Sequence, residues 1–428
     1  MRYILLFLFI ILTFCLHGQN KNNFQEYFTE DATLRLDFIL AGNAENSEIY
    51  LYDVKREKPW AGPLTNHVEP FFYGNYRIMV KSNDGDKIYH KGFSTLFEEY
   101  QTTDKSREEK KAFYHTIRIP FPLIPVNVSV QERNYDTGEF EDILTKRVEP
   151  GDYFINEEKA SSVDYEKVLE SGSTAKCVDI AFLAEGYKQQ EMDKFVDDVE
   201  RIMDYILSQE PFDKYQDRFN VYAVKSVSKD SGTDVPGEGV YKNTALNSSY
   251  YTFDVPRYLT SKDTRTIRDY ASAVPYDHIF ILINTDRYGG GGFYNHYTAS
   301  TEGHAYSMEV AIHEFGHGFA GLGDEYYESD VAYSEFYNKD VEPWEPNLTT
   351  LVDFDKKWKG MIAENTPVPT PREPEYKNTI GVFEGGGYVS EDVYSPSMDC
   401  RMKSNEASGF CPVCQKAIEN VILYYLDE

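Results

Sequence analysis

The chain has 428 residues, 41% of them hydrophobic, with 35 tyrosines and a formal net charge of −28. That length supports two or three domains with cores of their own. The acidic excess argues against nucleic acid or an anionic membrane surface as a partner.

Residues 1–18 read as a signal peptide. Arg2 gives a minimal positive start, Ile4 to Phe14 is an apolar run too short to span a membrane, and Gly18 offers a small residue for cleavage. Lipid anchoring through Cys15 is the less favoured alternative, because the bulky Phe14 precedes it. No later stretch has the length of a transmembrane helix. The expected protein is exported, whether secreted, periplasmic or at the cell surface, and has no transmembrane segment.

Residues 19–150 read as an all-β antiparallel sandwich domain. Leu34, Leu36, Phe38 and Leu40 fall at the period of two that marks a half-buried strand. Tyr76 to Lys81 and Lys87 to Phe93 flank Asn83-Asp84-Gly85, a hairpin turn. Short runs at 117–119 and 126–130 continue the pattern, and none of it carries chemistry. Residues 151–175 are polar and without clear periodicity, so the connection between domains is expected there.

From residue 176 to 428 strands alternate with helices. Val178 to Leu183 reads as a buried strand; Met192, Phe195, Val199, Ile202, Met203 and Ile206 line one face of a helix. Phe219 to Val224 and His278 to Asn284 read as two further strands. Gly289 to Gly292 then permits close approach of another backbone, as at a cleft edge where an extended peptide adds as a strand. A plain turn is the simpler alternative. A phosphate loop is excluded, because no Gly-Lys-Ser/Thr follows.

This domain is organised around His313-Glu314-Phe315-Gly316-His317. Residues four apart project from one helix face, so both imidazoles can reach one zinc ion. Glu314 sits about 100° round from His313 and can act on the attacking water without ligating the metal. Gly321 and Gly323 end the helix, and Asp324 can then swing back as a third ligand. Tyr326 is a candidate for oxyanion stabilisation, while His296 and His304 read as structural or surface residues. The run Cys411-Pro-Val-Cys414 resembles half of a zinc knuckle, but no second such pair completes it. Among Cys177, Cys400, Cys411 and Cys414 the expected disulfide joins Cys400 to Cys411 or Cys414, pinning a C-terminal helix over Val413 to Leu426.

Residues 313–326 resemble the M64, or IgA peptidase, family of secreted metzincin-like zinc metallopeptidases, in which the glycine and the aspartate each fall one position later than in the common metzincin pattern. The resemblance implies an α+β fold, with a metzincin-like zinc peptidase domain preceded by the β-sandwich. It implies one Zn²⁺ per chain held by His313, His317 and Asp324, with Glu314 as general base. Glu325 is the neighbour that could compete for the metal. Met402, preferred to Met398, would pack beneath the site. The expected activity is endopeptidase cleavage of a protein or glycoprotein substrate, host proteins included, by a monomer. Two alternatives are a zinc amidase acting on non-protein substrates and a host-surface or glycan-binding protein with a vestigial site. The intact Glu314 argues against the second. The family name does not carry immunoglobulin A over as substrate, because cleft side chains and the N-terminal domain set that choice.

Overall fold

A computed structural model describes residues 24–57, 59–157, 162–327 and 336–426. The expected signal peptide and Cys15 lie outside these residues. The N-terminal part holds strands β1 (Phe28–Gly42), β2 (Ser47–Glu57), β3 (Tyr76–Lys81), β4 (Lys87–Phe93), β5 (Lys111–Pro122), β6 (Val126–Arg133) and β7 (Phe140–Val148). They form two antiparallel sheets, ordered β2-β1-β5 and β4-β3-β6-β7. Leu34, Leu36, Phe38 and Leu40 of β1 share one core with Ile78, Val80, Val128 and Val130 of the facing sheet, as the period-two pattern requires.

A six-stranded sheet follows, built from β8 (Tyr165–Glu170), β9 (Val178–Glu185), β10 (Phe219–Val224), β11 (His278–Ile283), β12 (Gly290–Phe293) and β13 (Tyr297–Thr301). Its order is β12-β13-β11-β9-β10-β8. The four central strands run parallel, and the edge strands β8 and β12 run antiparallel to their neighbours. Strands β9, β10 and β11 are buried along their whole length, which accounts for their largely apolar sequences. Strand β8 falls inside the stretch expected to be a plain connection. It is a largely exposed edge strand, so its sequence carries no alternation.

The side-chain period of two in β9 and β11 divides the molecule into two cores. Ala181, Leu183, Ile279, Ile281 and Ile283 belong to the core shared with the N-terminal sheets. Ile180, Phe182, Phe280 and Leu282 belong to the other core, with helices α1 (Met192–Leu207), α3 (Ser307–Ala320) and α4 (Pro412–Tyr425). Helix α2 (Thr264–Ala271) packs against both β5 and β9, with Ile267 and Ala271 in the first of these cores. There the fully buried Arg35 guanidinium holds Asp37 at 2.6 Å and Asp269 of α2 at 2.6 Å. Arg268 donates to Thr116 Oγ1 at 2.9 Å in the same contact. The chain is thus a mixed α+β protein whose two parts share both an apolar core and a buried ionic contact.

The expected disulfide is not formed. Cys177, Cys400, Cys411 and Cys414 are all free and buried. Cys400 Sγ and Cys414 Sγ stand 3.8 Å apart, against the roughly 2.05 Å of a sulfur–sulfur bond. The Glu325 carboxylate is inserted among these thiols, with Oε1 3.1 Å from Cys414 Sγ and 3.9 Å from Cys411 Sγ. Its presence beside them was not legible from cysteine spacing.

Candidate metal centre

Helix α3 carries the two histidines because its apolar face anchors it. Ile312, Phe315 and Phe319 are buried against β11 and α1, and the Phe315 ring lies 6.3 Å from that of Phe280. The opposite face carries His313, Glu314 and His317 into a cleft of about 370 Å³. Gly321 ends the helix in the left-handed conformation at φ 64°, a geometry that costs glycine little. The Asn347 side chain grips the next turn, accepting from Gly323 N–H and donating to Gly323 O, each at 2.8 Å. That clamp returns Asp324 to the helix.

Three ligand-type atoms converge. His313 Nε2 and His317 Nε2 are 3.1 Å apart, and Asp324 Oδ1 lies 3.1 Å from the first and 3.3 Å from the second. The distal nitrogens are fixed from behind: His313 Nδ1–H donates to Arg401 O at 3.0 Å and His317 Nδ1–H to Leu322 O at 2.5 Å. Both rings therefore direct Nε2 into the cleft. Asp324 Oδ2 accepts from the Tyr388 hydroxyl at 2.5 Å. Tyr326 also lines the cleft and its ring lies 5.5 Å from that of Tyr388.

The electrostatics follow from these contacts. Burial would raise the Asp324 carboxyl, but the two imidazoles beside it hold it well below the usual carboxylate range. Burial would lower His317, but Asp324 pushes it up to about 9. His313 is raised by the same partner against the same opposing burial. Glu314 is raised, because burial outweighs the pull of the two histidines.

Strand β12 forms the facing wall. A Cβ on Gly292 would lie 2.3 Å from Glu314 O, and one on Gly290 would lie 2.7 Å from Glu314 Cγ. The glycines are thus what lets α3 and this edge strand meet. The edge is partly covered, since Leu259 N–H donates to Gly290 O at 3.2 Å. Met402 is fully buried, with its sulfur against the Gly316 turn of α3, whereas Met398 is half-buried. His296 is buried against His115, and His304 stacks on Tyr306; neither joins the cluster. Glu325 points away from it, toward the cysteines.

Tyr388, Asn347 and the Arg401 carbonyl are parts of the site that the sequence reading did not single out. Each lies far along the chain in irregular backbone, where no periodicity marks it.

The comparison with family models gives the class, a peptidase. Residues 167–378 and 372–422 match the model of the IgA peptidase M64 family, and residues 23–145 match that of the peptidase M64 N-terminus. The chain belongs to the IgA peptidase M64 family. No curated protein matches it. Among the described residues no helix is long and apolar enough to cross a membrane.

Proposed function

We propose that this protein is an exported zinc-dependent endopeptidase, with one zinc held by His313, His317 and Asp324 and with Glu314 as general base. The observation that carries the reading is the spacing of the three ligand atoms, 3.1–3.3 Å on every side. Tetrahedral bonds of about 2.0–2.1 Å to nitrogen and oxygen put neighbouring ligands about 3.3 Å apart. The donor set supports it as well: Asp324 Oδ1 faces the two Nε2 atoms, and each histidine has Nδ1 engaged by a backbone carbonyl, which directs Nε2 inward.

When bound there, zinc supplies a Lewis acid that polarises the scissile carbonyl and makes water more acidic. Glu314 takes the proton of the attacking water and delivers it to the departing amine. A carboxyl raised by burial suits both halves of that task. Tyr388 fixes the Asp324 oxygen that faces away from the histidines, and Tyr326 stands beside it. The cleft is lined by Gly290, Gly291 and Gly292, where the lack of side chains lets a substrate main chain lie close, which suits an extended peptide. A parallel sheet with an antiparallel edge strand above the cleft, a glycine turn before the third ligand, and Met402 beneath the helix support the metzincin-like reading of the fold. Export rests on residues 1–18.

The test is metal content of the purified chain together with cleavage of a denatured protein mixture, with and without chelator. One zinc lost with chelator, and cleavage lost with it, is the expected result. Cleavage that persists after the His313/His317 metal is removed would overturn the reading.

A further inference from the structure

Behind the peptidase cleft, Cys400, Cys411, Cys414 and Glu325 face one another in a closed pocket. All four are buried, and their ligand atoms lie within 4.8 Å of one another. We infer that these four residues form a second metal site, a structural tetrahedral zinc site with three thiolates and one carboxylate.

The distances fit that ion. Zn–S bonds of about 2.3 Å at tetrahedral angles place sulfurs about 3.8 Å apart, and sulfur from a carboxylate oxygen about 3.5 Å. The observed separations are 3.8 Å for Cys400–Cys414 and 3.1 and 3.9 Å for the contacts of Glu325 Oε1 with Cys414 and Cys411. A disulfide between Cys400 and Cys414 would use two of the four groups and leave the Cys411 thiol beside a fully buried carboxylate whose one protein hydrogen bond outside the cysteines comes from Asn347 Nδ2 to Oε1 at 3.1 Å. Glu325 Oε2 has no hydrogen-bond partner at all, and such a buried orphan calls for an explanation. An ion among the thiolates supplies one. All four positions are protein ligands, so no place remains for a water or substrate, which marks the site as structural.

The elements that carry the ligands are prepared for it. Cys411 caps α4 and Cys414 lies in its first turn, so the positive end of the helix faces the thiolates. Cys411 N–H also donates to Cys400 Sγ at 3.3 Å. The CxxC half-site is therefore completed by a cysteine from the preceding loop and by the glutamate that follows Asp324. Glu325 N–H in turn donates to Met402 O at 2.8 Å. A metal here would clamp 324–325 to 400–402, the segments that supply Asp324 and the carbonyl behind His313. Binding releases the thiol protons to solvent.

The experiment is metal quantification on the full chain purified without reductant or chelator, in wild type and in two variants. Wild type is expected to hold two zinc per chain, His313→Ala/His317→Ala one, and Cys411→Ser/Cys414→Ser one fewer than wild type. Should the cysteine variant fail to fold, cobalt replaces zinc in the histidine variant. A near-ultraviolet thiolate-to-cobalt absorption surviving there supports the second site, because the first has no sulfur ligand. Loss of all metal in the histidine variant, or an intact mass two hydrogens light from a Cys400–Cys414 bond, would overturn it. The histidine variant also separates this result from failure of the peptidase reading.

Discussion

Tyr388 donates its hydroxyl to Asp324 Oδ2 at 2.5 Å, across 64 residues of sequence. The tyrosine sits in the turn between strands β14 (Phe383–Gly386) and β15 (Val389–Ser395), and its backbone N–H donates to Tyr326 O. One residue thus holds both the proposed third ligand and the loop that presents it. Such partners of metal ligands typically change affinity or activity 10–100-fold when lost. Tyr388→Phe is expected to weaken zinc binding within that range without unfolding the chain. A competitive chelator titration checks it, and wild-type affinity would remove Tyr388 from the site.

Glu314→Gln is expected to keep its metal and lose peptide cleavage by several orders of magnitude. The amide keeps the shape of the side chain against Gly290 and cannot accept a proton. Metal content and turnover are measured on the same preparation. Turnover within tenfold of wild type would assign the base elsewhere.

The histidine–aspartate cluster gives the metal-free protein a distinct pH dependence. His317 is raised to about 9 by Asp324 when no metal is present, above the ordinary 6.5 of the unfolded chain. Its contribution is therefore complete below pH 6.5 and is lost as pH rises toward 9, on the order of 3 kcal/mol. Zinc must displace that proton, so its affinity rises across the same interval. Denaturant melts of chelated and zinc-loaded protein between pH 6 and 9 should diverge progressively. Parallel curves would show that His317 is not raised.

Arg35 tests the contact between the two parts of the chain. Its guanidinium is fully buried between Asp37, Glu57 and Asp269. Glu57 keeps Arg118 and Asp269 keeps Lys55 when Arg35 is removed, but the buried Asp37 loses its ion-pair partner, and breaking a buried pair in this way costs about 3–5 kcal/mol. Arg35→Met should lower the stability of the whole protein by that order in a urea titration, in one transition, because β1 and α2 share the contact. A loss below 1 kcal/mol would mean that water reaches the cluster.

The histidine helix was legible because its signal is local: apolar residues at helical spacing, two imidazoles four apart, and glycines to end the turn. Strands β9, β10 and β11 were legible as buried apolar runs for the same reason. Strand β8 was not, since an exposed edge strand needs no hydrophobic face. Tyr388 and Asn347 act through chain reversals in irregular backbone, which no periodicity predicts. The cysteines misled in an instructive way. Their spacing suggested a disulfide, yet their actual neighbour is Glu325, brought there because successive residues after Gly323 point to opposite sides of the chain.

Both histidines take their orientation from peptide carbonyls, those of Arg401 and Leu322. A carbonyl belongs to the path of the main chain and survives any exchange of the side chain on it. Alanine scanning would therefore pass over positions 322 and 401 as catalytically silent, whatever it found about their packing. The vulnerable change is one of length. Deleting or inserting a single residue between Cys400 and Met402, or between His317 and Asp324, would move an acceptor off its imidazole and release the ring to turn.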